Sequence, residues 1–202
     1  MRGLLLVGLM IGSGGCLMSG NYHSARTLEK GESQVGLTFS ATRYTNTTVD
    51  NSTNPPSESS ESIVIPNVIP EITYHIGMAE NVEVGGRASL GALGLEADVK
   101  YRFFHNDKLH LAVAPAVNYQ AFVVLEGVGL RLPAILTYQL ADNMDFTAAV
   151  FGSTTHYSTT DDSDSDFGNF GGTLVSTGGA VGIDLHGETF SIRPRSEERR
   201  VG

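Results

Sequence analysis

Strict alternation of apolar and charged residues between Leu95 and Phe104 most restricts what this chain can fold into. The apolar set is Ala97, Val99, Tyr101 and Phe103, and the charged set between them is Glu96, Asp98, Lys100 and Arg102. A helix would scatter the four charges around its circumference, whereas a β-strand places all of them on one face. The segment is therefore predicted to be a strand with one apolar and one charged face.

Similar alternation recurs along most of the chain and predicts nine visible strands. They are expected at about 33–44, 68–78, 82–90, 95–104, 109–118, 128–138, 145–156 and 173–185, with a ninth that begins at Thr189. Repeated period-two segments separated by turn residues are typical of a transmembrane barrel, in which alternate residues meet lipid. The predicted fold class is all-β, an antiparallel up-and-down transmembrane β-barrel of about 8–10 strands.

The connections between these strands alternate in length. The two long ones, 45–62 and 157–170, are rich in Ser, Thr, Asn and acidic residues and are predicted to be mobile loops. The turns near Glu80, Asn106, Asn143 and Gly187 are short. Short periplasmic turns and long external loops are the pattern of outer-membrane barrels, and this pattern predicts a periplasmic N-terminus.

The N-terminal stretch MRGLLLVGLMIGSGGC has the layout of an export signal. Arg2 precedes the apolar run 4–11, and small residues follow. The ending SGGC resembles a bacterial lipobox, although Ser13 stands where Leu is usual. Cleavage after residue 15 and lipidation of Cys16 are expected, with ordinary cleavage near Cys16 as the alternative. Leu17, in place of Asp after the cysteine, favours the outer membrane over the inner one.

Composition limits the other possibilities. The chain has 202 residues and a net charge of −9, which argues against a nucleic-acid surface. The sequence contains no run of about 20 apolar residues, the length that a membrane-spanning helix needs. The predicted organisation is a signal peptide at 1–15, a lipidated lead-in at 16–32, a barrel domain at 33–194 and a non-native tail at 195–202. Because RSEERRVG breaks the alternation, we expect the natural chain to continue the ninth strand and the barrel to be truncated here.

Charged residues of both signs fall on the predicted inner face. The proposed lumen network is Glu71, Glu83, Arg87, Glu96, Asp98, Lys100, Arg102 and Arg131, with Asp184 as a further inner charge. Such a lumen could be a selective, water-filled pore. Barrels of about eight strands are, however, just wide enough to be filled by their own side chains. Charges that pair across strands would fill this one, and the filled interior is the favoured interpretation.

Other chemistry has weaker support in the sequence. The acidic run 161–166 could bind calcium, but it lacks the Gly and Glu positions of an EF-hand, so a solvated loop is preferred. His75, His110 and His156, the last near Ser153, are candidates for hydrolytic chemistry, but their spacing matches no triad. No P-loop or dinucleotide fingerprint is present. We expect neither catalysis nor a cofactor.

The strand alternation, the loop asymmetry and the aromatic positions together resemble bacterial outer-membrane barrels of the small OmpA/OmpX-like type. Predicted periplasmic strand ends carry Tyr101, Phe103, Tyr138, Phe146 and Phe190, and external ends carry Tyr44, Tyr119 and Tyr157. The resemblance implies a structural, adhesive or surface-interaction role. It also implies outer-membrane lipid, lipopolysaccharide and the acyl chains on Cys16 as partners, with no nucleic acid.

Three alternatives to a structural barrel remain open from the sequence. The first is a small channel or porin, and the second is a lipid A-modifying enzyme. The third is a lipid-tethered, soluble, lipocalin-like ligand binder. That protein would turn the opposite face inward, namely Val99, Tyr101, Leu111, Val113, Leu130 and Leu132.

Overall fold

The computed structural model describes residues 23–50, 57–89, 93–122, 125–159, 171–187 and 191–201, and throughout these ranges the regular structure is β-strand. The strands are β1 (Ser33–Asp50), β2 (Ser57–Ala79), β3 (Val82–Ser89), β4 (Gly94–His105), β5 (Leu109–Val113), β6 (Ala116–Phe122), β7 (Leu125–Ala141), β8 (Met144–Thr159), β9 (Gly171–His186), β10 (Ser191–Ile192) and β11 (Arg195–Val201). Within the same ranges, no helix has the length and apolar character needed to cross a membrane.

All eleven strands belong to one antiparallel sheet, and strands that follow one another in sequence pair, except β5 with β6 and β10 with β11. β5 and β6 both lie between β4 and β7, with Pro115 between them, and β10 and β11 both pair with β9, with Pro194 between them. A proline has no amide hydrogen for the ladder and interrupts a strand at this point. The described strands therefore fill nine positions, and the predicted all-β, up-and-down antiparallel fold is confirmed.

The first hairpin is much longer than predicted. Segment 45–62 was expected to be a loop, but β1 continues to Asp50 and β2 starts at Ser57, with Tyr44 paired to Ile63 and Asp50 to Ser57. The polar composition rules out a core, yet a paired hairpin satisfies its backbone without one, and threonine suits strands. At about 3.3 Å per residue, the 18-residue β1 spans roughly 60 Å. The loop prediction is wrong for the paired part of this segment.

Four further predictions concern the second loop, the acidic run, the N-terminal signal and the C-terminal tail. β8 continues to Thr159, so the start of the second predicted loop is also strand. The acidic run 161–166 and Cys16 with its signal lie outside the described residues. Residues 195–201, predicted to be a non-native tail, form β11, which pairs with β9 from Arg195 opposite Gly182 to Val201 opposite Ser176.

The two faces of the sheet differ sharply in chemistry. Along β4, exposed and buried residues alternate as far as Tyr101, and the buried ones are Gly94, Glu96, Asp98 and Lys100. The exposed face carries large apolar side chains on most strands, including Val35, Leu37, Tyr74, Leu95, Val117, Val128, Leu130, Leu132, Val150, Val175 and Val181. The sheet therefore buries its polar face and exposes its apolar one.

The buried face contacts residues 23–30, which we call the inner segment; residues 23–28 are buried or half-buried, and Glu29 and Lys30 are exposed. Ala25 is fully buried, and its amide donates a 2.8 Å hydrogen bond to Thr137 Oγ1 on β7. Arg26 pairs with Asp145 on β8 at 2.6 Å, and Arg195 on β11 donates to the carbonyl of His23. The lead-in predicted from sequence thus lies, over residues 23–30, against the inner side of the sheet.

The ends of the sheet lie close to each other. Gln34 Nε2 on β1 and Ser191 Oγ on β10 are 3.5 Å apart, a long hydrogen bond between the first and last positions. Within the described ranges, no backbone ladder joins β1 to β10 or β11. The sheet therefore curls around the inner segment until its two edges are within side-chain reach.

Gly77 lets the inner segment approach the sheet. The amide of Gly31 donates to Gly77 O at 2.8 Å, and the amide of Gly77 donates to Glu32 O at 2.9 Å. A Cβ at position 77 would lie 2.0 Å from the carbonyl oxygen of Glu29. Because real Cβ atoms do not come this close to backbone, only glycine permits this contact.

We therefore predict that Gly77→Ala displaces the inner segment and lowers the free energy of unfolding by about 1–3 kcal/mol, as overpacking does elsewhere. Trypsin should then cleave faster after Arg26, which in the native structure is half-buried and paired with Asp145. Urea unfolding and trypsin digestion of the folded protein test this. Gly152→Ala is the matched control, since its added Cβ would meet open space. Equal trypsin sensitivity in the two variants would contradict the prediction.

Candidate functional site

The sheet register places the inner charges of β2, β3 and β4 in facing rows. Glu83 lies opposite Lys100, and Arg87 opposite Glu96, each as a direct cross-strand pair. Opposite charges at such positions attract each other and help to fix the register. The alternation seen in the sequence of β4 therefore has its electrostatic complement on the neighbouring strand.

One cluster centres on Glu96. Arg87 contacts Glu71 at 3.3 Å and Glu96 at 3.2 Å, and Arg131 on β7 pairs with the other oxygen of Glu96. All four side chains are almost fully buried. Two guanidinium groups and two carboxylates thus form a chain of ion pairs from β2 across the lumen to β7. Its balanced charge offsets the cost of removing these groups from water.

A second cluster joins the sheet to the inner segment. Glu83 accepts a 2.9 Å contact from Lys100 Nζ, and its other oxygen accepts a 3.0 Å hydrogen bond from the amide of Leu28. One carboxylate therefore neutralises a buried ammonium and also holds the backbone of the inner segment. This contact makes the position of the inner segment depend on the charge network.

Arg102 stands apart from the other predicted lumen residues. It is half-buried at the short-turn end of the sheet, where its Nε donates a 2.8 Å hydrogen bond to Asn81 Oδ1. Asn81 itself has a φ of 66°, a turn conformation that asparagine tolerates better than most residues. The structure brings together on the buried face the other seven residues, which are Glu71, Glu83, Arg87, Glu96, Asp98, Lys100 and Arg131.

A third cluster was only partly visible in the sequence. Asp145 and Asp184 lie opposite each other on β8 and β9, an arrangement that alone is destabilising. Arg26 offsets it by binding Asp145, and Arg195 does so by contacting Asp184 at 3.3 Å. Alternation along β8 could have indicated Asp145. Arg26 lies in an irregular segment, so no periodicity could have placed it.

Two buried histidines and an aspartate form the fourth cluster. His23 Nε2 lies 3.8 Å from Asp98 Oδ2, and His75 Nε2 lies 3.5 Å from the same oxygen. The two imidazole rings have centroids 4.7 Å apart. Burial, and next the charge of Lys100, lower the pKa of His23 well below its ordinary value, so this imidazole is neutral.

The three histidines considered for hydrolysis lie on three different strands. His75 is buried on β2 and His110 on β5, while His156 is exposed on β8. His156 Nδ1 is 3.1 Å from Thr173 Oγ1, and Ser153 Oγ is 2.6 Å from Ser176 Oγ. These contacts pair both groups with side chains of β9. They do not form the nucleophile and base arrangement that acyl transfer requires.

Comparisons with protein-family models, with curated proteins and with solved structures found no match to this chain.

Glu96→Gln should destabilise the fold strongly, because it removes the charge of the carboxylate that pairs with two buried guanidinium groups, those of Arg87 and Arg131. Breaking a buried ion pair costs about 3–5 kcal/mol, and we expect a loss of about 3 kcal/mol or more. Urea unfolding followed by far-UV circular dichroism measures it. Glu80→Gln, at an exposed turn, is the matched control and should change stability little. If both variants unfold at the same urea concentration, the network does not hold the fold.

Proposed function

We propose that this chain is an outer-membrane β-barrel lipoprotein with a structural or surface-interaction role and without catalytic activity. The observation that carries the proposal is the inverted distribution of side chains between the two faces of the sheet. Charged residues such as Glu96 and Lys100 are buried, while Leu130 and Leu132 are each 58% exposed. A sheet with a charged buried face and an apolar exposed face is stable when lipid surrounds it.

The size of the apolar surface supports a membrane environment. Exposed apolar residues occur on strands from β1 to β10, from Val35 to Ile192. Soluble monomers rarely expose contiguous apolar patches larger than a few hundred Å². A patch that extends across the whole sheet would cause aggregation in water, whereas hydrocarbon covers it at no cost.

The same exposure counts against a lipocalin-like ligand binder. That class needs Val99, Tyr101, Leu130 and Leu132 inside, around an apolar ligand. They are instead 46–58% exposed, and the positions between them hold the ion pairs. Leu111 and Val113, from the same expected inward set, are half-exposed.

The filled interior favours a structural role over a channel. The inner segment occupies the space that the buried face encloses, and Ala25 packs there with Ala112, Ala114, Ile135 and Ala149. The opposite side of the lumen is filled by the paired charges. A continuous water path would require both the segment and the ion pairs to move aside.

Aromatic placement and hairpin length support the finer assignment to the small OmpA/OmpX-like type. Tyr101, Phe103, Tyr138 and Phe146 are exposed near the short turns, and Tyr119 is exposed towards the other end. Such girdles mark membrane interfaces. The apolar band of a barrel is about 25 Å tall, so the hairpin of β1 and β2 extends well beyond it. This polar extension is the surface offered to external partners.

If the exposed face meets lipid, a charged side chain placed on it should destabilise the protein more near the middle of the membrane than near its surface. In a Cys16→Ser background, the protein should remain in carbonate-washed outer membranes and change gel mobility on boiling. Leu132→Arg, near the middle of β7, should destabilise it by about 2–4 kcal/mol, whereas Leu140→Arg, at the turn end, should cost about 0–1 kcal/mol. Urea unfolding from phospholipid vesicles measures both. In a soluble protein both exposed changes would be nearly neutral, and carbonate would release the chain.

The closed interior predicts that the purified protein gives no stepwise conductance in planar bilayers. Its conductance is compared with that of a variant lacking residues 23–32, because this deletion removes the inner segment and leaves β1 intact. Steady unitary currents from the unaltered protein would reject the structural role and favour the small channel.

A further inference from the structure

His23, His75 and Asp98 come from three separate parts of the chain and meet inside the sheet. His23 belongs to the inner segment, His75 to β2 and Asp98 to β4. One ligand-type atom from each lies within 4.8 Å of the other two, and all three residues are buried. Two imidazoles and a carboxylate are a donor set that proteins use for transition metals.

The distances fit coordination better than direct hydrogen bonding. The separations from Asp98 Oδ2, 3.8 Å to His23 Nε2 and 3.5 Å to His75 Nε2, exceed the 2.7–3.2 Å of an N–H···O bond. Ligand bonds of about 2.0–2.1 Å in a tetrahedral zinc site place neighbouring donor atoms roughly 3.3 Å apart. Small side-chain shifts would bring all three atoms onto one ion.

Two donor atoms in the cluster have no hydrogen-bond partner. His75 Nε2 and Asp98 Oδ1 are both buried and both unsatisfied, and each residue is more than nine-tenths buried. A buried polar atom without a partner costs about 1–3 kcal/mol. A bound cation removes this cost at His75 Nε2, and coordination by both oxygens of Asp98 would remove it at Oδ1 as well.

The intervening strand is shaped to let the ligands meet. Gly85 on β3 lies opposite His75 on one side and Asp98 on the other. A Cβ at position 85 would lie 1.7 Å from His75 Cδ2, so the imidazole ring occupies the place of a side chain there. The missing side chain allows groups two strands apart to approach each other.

We propose that His23, His75 and Asp98 bind one divalent transition-metal ion, of the zinc, cobalt or nickel class, which links the inner segment to β2 and β4. Two nitrogen donors favour these ions over magnesium and calcium, which prefer oxygen ligands. Water or a nearby oxygen completes the coordination.

Neighbouring charges are arranged to support such a site. Glu83 Oε1 lies 3.7 Å from His75 Nδ1, on the side of the ring opposite the proposed metal. At this distance Glu83 acts through its negative charge, which favours a cation on the other nitrogen of the ring. Lys100 would repel a cation, but Glu83 pairs with it at 2.9 Å, and Glu96 pairs with both Arg87 and Arg131.

The site is tested by cobalt titration of the untagged, folded chain after chelator treatment. We expect one Co²⁺ per chain with visible ligand-field absorption, displaced by Zn²⁺ and unaffected by excess Mg²⁺ or Ca²⁺. Partners that only orient a ligating histidine alter affinity about 10–100-fold, so loss of a ligand in His23→Gln or Asp98→Asn should weaken binding by about 100-fold or more. His105→Gln, at an exposed histidine, is the matched control and should bind as the unaltered chain does.

His23→Gln keeps the test decisive if the strand variants do not fold, because His23 lies outside the sheet. A second readout is trypsin cleavage after Arg26, which Zn²⁺ should slow in the unaltered chain and leave unchanged in His23→Gln. Stoichiometric Co²⁺ binding of equal affinity in both chains would overturn the proposal. The absence of saturable Co²⁺ binding to the unaltered chain would overturn it as well.

Discussion

Pairing of enclosed charges is the constraint on which the rest of this structure depends. An unpaired charge removed from water costs several kcal/mol, so each inner acid or base has to meet an opposite charge. Glu96 does this for Arg87 and Arg131, and Glu83 does it for Lys100. A shift of β3 against β4 by one residue would turn these side chains to the apolar face. The ion pairs therefore select the register, and the register in turn aligns the apolar residues on the opposite face.

The inner segment also provides partners for buried charges, although it lies outside the sheet. It brings Arg26 to a pair of facing aspartates and offers the amide of Leu28 to Glu83. On the other side, Ala25 packs against apolar side chains of β5, β7 and β8. The lumen thus has a charged wall and an apolar wall, and one irregular stretch of chain satisfies both. This double match explains why an enclosed segment without regular secondary structure has a defined position.

Much of the sheet could be predicted because the strands and short turns depend on residues that are close together in the sequence. Alternation along β4 identified both its faces, and the short turns near Glu80 and Asn143 fell where they were expected. The extension of β1 and β2 was missed because Ser- and Thr-rich segments carry no apolar period, although they can pair. Arg26 and His23 were missed because nothing in an irregular stretch indicates which way its side chains point. The cluster of His23, His75 and Asp98 depends on Gly85, which lies on the strand between those of His75 and Asp98, a relation that only the register reveals.

The contact between Arg195 and the carbonyl of His23 joins the first described residue to the last described strand. The strands that hold the inner segment, from β2 to β11, all follow it in the chain. The two ends of the described chain are therefore tied to each other through the interior of the sheet, and a change at one end alters the support of the other.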